Sequence, residues 1–152
     1  MDLLLKGARV IDPSQGFDGI ADVAFAGGKV AAMAPRLAPA PGATVQDATG
    51  HIVTPGLIDL HTHVYWGGTS LGVDGDSYGL SSAVTTCVDT GSAGPGNFAG
   101  FRRHVIEHST VRILAYLHVS HAGIFGFDRN VSVGESENIL LMNPVDAAAV
   151  VE

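Results

Sequence analysis

The stretch TPGLIDLHTHVY, residues 54 to 65, decides how the rest of the chain reads. Pro55-Gly56 breaks whatever precedes it, and LIDLHTHV, from Leu57, is then an apolar strand that runs into polar residues at its end. His61 and His63 stand two apart, a spacing that puts both side chains on one face of a strand. Neutral imidazole is the commonest protein ligand for zinc and similar metals, and two on one rigid strand end have little freedom to lose. Asp59 follows the same alternation and would orient a ligand histidine through its other ring nitrogen. A bare His-x-His also arises from two histidines at a core edge. Here the pair ends an apolar strand and precedes a Gly-rich loop, and the carboxyl ends of parallel strands are where α/β barrels place their active sites.

Downstream, residues 67 to 79 are Gly- and Asp-rich and read as loop. SSAVTTCVDTGSAG, residues 81 to 94, is a second β-branched strand followed by a Gly-rich turn. Asn97 caps an expected helix through FAGFRRHVIEHS, in which Phe98, Phe101, Val105 and His108 share a face. VRILAYLHVSH, residues 111 to 121, is a third strand, and residues 122 to 138 read mostly as loop. Asn143 then caps a helix beginning at Pro144, a favoured first position for proline. Strands alternating with helices imply parallel βα units.

Upstream, the pattern is one of short strands. DLLLKGARVID ends at the turn signal Asp12-Pro13, and IADVAFAGGKVAAMAP splits into a hairpin at Gly27-Gly28. Short strands follow near Thr44 to Asp47 and at HIVTPG, so the first third reads as a small β-sheet or sandwich. No internal repeat is visible.

Composition narrows the class. Among 152 residues, 46% are hydrophobic and 15% charged, too apolar for a disordered chain. The net charge of -7 carries no basic patch, so nucleic acid is not an expected partner. No segment approaches the ~20 apolar residues of a membrane span, and the N-terminus lacks the pattern of a secretory signal. A soluble, cytoplasmic protein is expected. The single cysteine, Cys87, lies in an apolar run and reads as a core thiol.

PGLIDLHTHV after a small β-rich module resembles the opening of the metal-dependent amidohydrolase superfamily. The chain is most similar to its dihydroorotase-like and D-aminoacylase-like members and to bacterial amidohydrolase/deacetylase proteins. TTCVDTGSAGPGNF, residues 85 to 98, looks most like the last group. The resemblance implies an α/β fold: the start of a (β/α)8 TIM barrel preceded by a small β-sandwich module, and the strands read above, near 57 to 62, 84 to 90 and 111 to 119, would be the barrel's first three. Residues 1–54 would be the N-terminal part of that module, and 55–152 the first βα units. His61 and His63 would bind metal, most simply Zn2+, with Mn2+ or Fe2+ also suited.

The implied activity is hydrolysis of an amide C–N bond, or a related ester, in a small molecule by a metal-activated water. In binuclear members a carboxylated lysine on strand four bridges two metals, further histidines come from strands five and six, and an aspartate on strand eight is the general base. The only lysines here are Lys6 and Lys29, both in the β-rich module. A complete barrel typically needs about 250 residues. We therefore expect the N-terminal portion of a longer hydrolase, inactive by itself, with catalytic residues beyond residue 152. A cyclic-amide hydrolase of the dihydroorotase type is one alternative. A non-catalytic degenerate barrel with an assembly role is another. Homo-oligomerisation is left open.

Other residues carry weaker signals. Ser92 and His121 are candidate substrate contacts at the ends of the second and third strands, where Asp89 and His118 also lie. At most one of His118 and His121 would face the site from a straight strand. Each of these has an ordinary reading as a strand-end or turn residue. His104 and His108 lie four apart on a helix expected to be exterior, and read as a surface pair. Trp66 suits either a pocket mouth or ordinary packing, and His51 gives no signal.

Overall fold

A computed structural model describes residues 1–124, 134 and 138–151. The chain divides into two compact units, Met1–Pro55 and Gly56–Glu152.

The first unit is one five-stranded sheet. β1 (Leu3–Asp12) is its centre, paired antiparallel with β2 (Phe17–Ala26) and parallel with β4 (Thr44–Asp47) and β5 (Ile52–Val53). β3 (Lys29–Ala34) closes the far edge through the Gly27-Gly28 hairpin, where both residues have positive φ, as the sequence predicts. The β1–β2 register shifts between Leu5 and Ala8. Gly7 sits there at φ 72°, and its N–H donates to Asp22 Oδ1 at 2.8 Å. Ala8, Val10, Ala21, Val23 and Ala48 form the core of this unit. The expected second layer of a sandwich is not among the described residues.

The second unit is a parallel sheet in the order β6 (Leu57–Thr62), β7 (Val84–Thr90), β8 (Arg112–Tyr116). Helices alternate with the strands: α1 (Gly75–Ser82), α2 (Phe98–His104) and α3 (Pro144–Val151). The mixed α/β class and the parallel alternation agree with the sequence. Val64, Val84, Cys87, Phe101 and Ile113 make the core between sheet and helices, with Tyr65 stacked on Phe101 at 4.6 Å. Cys87 is fully buried there, as expected, and burial pushes its thiol pKa up.

Three local expectations need correction. The segment expected as loop to residue 79 already contains the start of α1. Asp74 caps that helix by accepting from Ser77 N–H at 2.7 Å. Its buried face carries Gly75 and Gly79 instead of an apolar stripe, so no helical periodicity marks it. The helix from Asn97 ends at His104 and passes into a single 3-10 turn, Ile106–His108. Phe101 is buried and Phe98 and Val105 pack against the core, whereas His108 is exposed. The third strand stops at Tyr116, because the backbone beyond it bonds to the turn after β7: His118 N–H to Ala93 O at 2.9 Å and Ile124 N–H to Gly91 O at 3.2 Å. Most of the loop expected over 122 to 138 lies outside the described residues.

Candidate metal centre at the carboxyl end of the parallel sheet

His61 is the last residue but one of β6, with its side chain exposed, and His63 follows the strand, half-buried. Their rings face each other edge-on, with centroids 5.6 Å apart, so the two donors share one side of the strand end. Thr62, between them, is buried on the opposite side and donates its hydroxyl to Val88 O at 2.9 Å.

Asp59 does not share their face, contrary to the simple alternation. It pairs with Cys87, and Thr62 pairs with Asp89, so Asp59 and Thr62 lie on the helix side although they are three positions apart. The register irregularity between them flips the alternation. Asp59 accepts from Tyr78 O–H at 2.6 Å and from His61 backbone N–H at 3.0 Å, and neither bond reaches an imidazole. The Tyr78 bond first, then the His61 amide, hold its carboxyl below the usual range. Asp59 thus orients the backbone at His61, not its ring.

His63 is held from the second strand. Its Nδ1 lies 3.1 Å from Ser92 Oγ. Ser92 is fully buried, and its N–H donates to Asp89 Oδ1 at 2.7 Å. The other Asp89 oxygen accepts from Val64 N–H at 2.8 Å. Ser92, a candidate substrate contact from sequence, therefore has its hydroxyl on His63 and no exposed surface. Nothing in the sequence pointed to that bond, because it spans 29 residues. The single local signal was a Ser three residues after an Asp, a turn spacing.

The other strand-end residues go elsewhere. His118 Nδ1 accepts from Ser120 N–H at 2.9 Å, and a Cβ at Gly91 would lie 2.9 Å from its ring. His121 is exposed, with Nδ1 3.8 Å from Asp146 Oδ2 on α3. At Gly94 a Cβ would fall 1.7 Å from Ser120 O, so only glycine lets the two loops meet there. Asn97 sits at the start of α2 but uses its amide between those loops, accepting from Gly94 N–H and donating to Ala122 O, both at 2.9 Å. His104 and His108 are exposed, as expected for a surface pair, and Trp66 is 64% exposed.

The donor set fits part of a metal shell. With Nδ1 of His63 taken by Ser92, Nε2 is the nitrogen left to ligate. Among the described residues no group of three His, Cys, Asp or Glu side chains comes together, so His61 and His63 would need donors from outside this set.

No family profile matches the chain. A deacetylase of Agrobacterium fabrum is 43% identical over 103 residues, covering 67% of this chain and 25% of that protein. A dihydroorotase of Geobacter sulfurreducens is 53% identical over 64 residues, 42% of this chain and 15% of that protein. A solved dihydroorotase structure superposes with a TM-score of 0.70 at 34% identity, over 84% of this chain and 33% of the other. The chain thus spans a quarter or less of the length of these two sequence relatives.

Proposed function

Because this chain belongs to the metal-dependent amidohydrolase superfamily, we propose that the protein it forms part of hydrolyses an amide C–N bond, or a related ester, in a small molecule. In this reading β6, β7 and β8 are the first three strands of a (β/α)8 barrel over residues 55–152. Residues 1–54 are the N-terminal part of a β-sandwich module. His61 and His63 are two of the metal ligands, with zinc the first choice for imidazole donors.

The observation that carries this reading is the pair of imidazoles at the carboxyl end of a parallel strand, on one side of it and 5.6 Å apart. A bound divalent metal supplies Lewis acidity, polarising a carbonyl and acidifying a water. The chain's own part is positional. β6 fixes the spacing of the two rings, and Ser92 holds one of them by Nδ1. Asp59 and Tyr78 fix the backbone leading into the pair. His121, the remaining candidate substrate contact, is exposed past β8 with its ring near Asp146. The sequence likeness to the deacetylase runs over 103 residues and that to the dihydroorotase over 64, which favours a deacetylase-type substrate, amide or ester, over a cyclic amide.

The test is metal content and turnover of the full-length protein against panels of N-acyl and cyclic amides. Wild type should hold one or two divalent ions, and His61→Ala and His63→Ala should lose metal and activity together. Full metal content and full turnover in both variants would defeat the assignment. A full-length protein without metal or turnover would favour the non-catalytic alternative.

A further inference from the structure

We propose that Ser92, gripped by the buried Asp89, is a positioning residue that fixes the ring of His63 with Nδ1 turned inward and Nε2 presented for ligation. This inference rests on the metal-ligand reading of His63.

The geometry exceeds what a turn requires. A strand-end aspartate accepting from the N–H three residues on is an ordinary turn device. Here the same carboxylate also reaches across to the neighbouring strand and accepts from Val64 N–H. One fully buried Asp89 therefore holds both the residue after His63 and the residue whose hydroxyl meets the His63 ring. Backbone and ring of one histidine are referred to a single rigid anchor.

A buried carboxylate is costly unless its oxygens are bonded, and each Asp89 oxygen accepts one backbone N–H. With one oxygen for each, the single side chain takes both N–H groups at once. Ser92 Oγ can accept the Nδ1 proton, which leaves the lone pair of a neutral imidazole on Nε2. Ser92 has no surface through which a substrate could reach it, so its hydroxyl serves the histidine.

The experiment uses the full-length protein and Zn2+ affinity measured by chelator competition. Ser92→Ala and Asp89→Asn should each weaken Zn2+ binding by about 10- to 100-fold, the usual effect of losing a partner behind a metal ligand. Asn offers one oxygen where two N–H groups need acceptors, so it releases one end of the anchor. Ser109→Ala serves as the stability control, because it removes the partly buried hydroxyl bond to Val105 O on another element. It should leave affinity unchanged. Equal affinity in Ser92→Ala and wild type, or an equal loss in Ser109→Ala, would overturn the proposal.

If His63→Ala also binds Zn2+ like wild type, the ligand reading itself has failed and the proposal falls with it. If the Ser92 and Asp89 variants do not fold, the His63 tautomer in metal-free wild type decides, read from the ring 15N shifts. A proton on Nδ1 is expected, and a proton on Nε2 overturns the assignment.

Discussion

At the residue scale, the chain depends on a few groups with no substitute. Gly7 holds φ 72° where β1 shifts register, and a Cβ there would lie 2.9 Å from Thr49 Oγ1. Gly7→Ala should destabilise the protein by about 1–2 kcal/mol, the penalty of a left-handed residue with a side chain. Chemical denaturation with an unchanged m-value checks it. Asp76 accepts from Thr110 N–H and Val111 N–H, both at 2.9 Å, tying the start of α1 to the entry of β8. The Val111 bond first and the Thr110 bond next hold its carboxyl below the usual range. A lowered folded-state pKa gives stability that is present above the unfolded value of about 3.9 and is lost as pH falls through the folded value. Asp76→Asn should therefore be less stable than wild type at neutral pH, and the two stabilities should converge in acid. A constant gap down to pH 2 would contradict this origin.

At the element scale, α1 shows close packing overriding helix propensity. Gly79→Ala would gain about 1 kcal/mol of intrinsic helix propensity. Yet its Cβ would lie 2.5 Å from Val111 Cγ2 and 2.7 Å from Val84 O. A backbone carbonyl cannot step aside without moving β7, and overpacking of this kind costs about 1–3 kcal/mol. The net expectation is a lower melting temperature, and a higher one would mean that α1 shifts freely on the sheet. The same glycines explain why α1 was illegible in the sequence: they replace the apolar stripe by which a helix is recognised. α3 was legible because its signal is local, and Asn143 Oδ1 does accept from Asp146 N–H at 3.0 Å, as a cap should.

At the scale of the whole molecule, the parallel sheet leaves one face largely uncovered among the described residues. Ile58, Thr86 and Arg112 pair across that face, and Leu114 and Tyr116 share it through their partners Val88 and Thr90. Ile58 is 61% and Tyr116 68% exposed. Contiguous exposed apolar surface marks a face that binds something. The 152-residue chain produced alone should bind a hydrophobic dye and self-associate with concentration, where the full-length protein should not. Fluorescence and sedimentation velocity test this, and a dye-silent monomer would show that the face tolerates water. The same isolated chain should show negligible amide hydrolysis, since under the proposed function it carries two of the metal ligands and the remaining catalytic groups lie outside it. Turnover that vanishes with His61→Ala would contradict that.

The sequence by itself determined the α/β class, the bounds of β6 and β7, the hairpin at Gly27-Gly28, the cap at Asn143 and the sharing of one strand face by His61 and His63. Each is written in contiguous residues, through alternation, turn chemistry or spacing. Only the tertiary structure decided the rest. Asp59 leaves the histidines' face because a register irregularity, set by pairing with β7, reverses the alternation between Asp59 and Thr62. Ser92 meets His63, and Asp89 grips Val64, because parallel pairing brings the ends of β6 and β7 together across 25 to 29 residues. His121 turns to Asp146 because the chain leaves the sheet at Tyr116. Local periodicity records which residues a strand offers to each side, and only the pairing of strands decides what those residues meet.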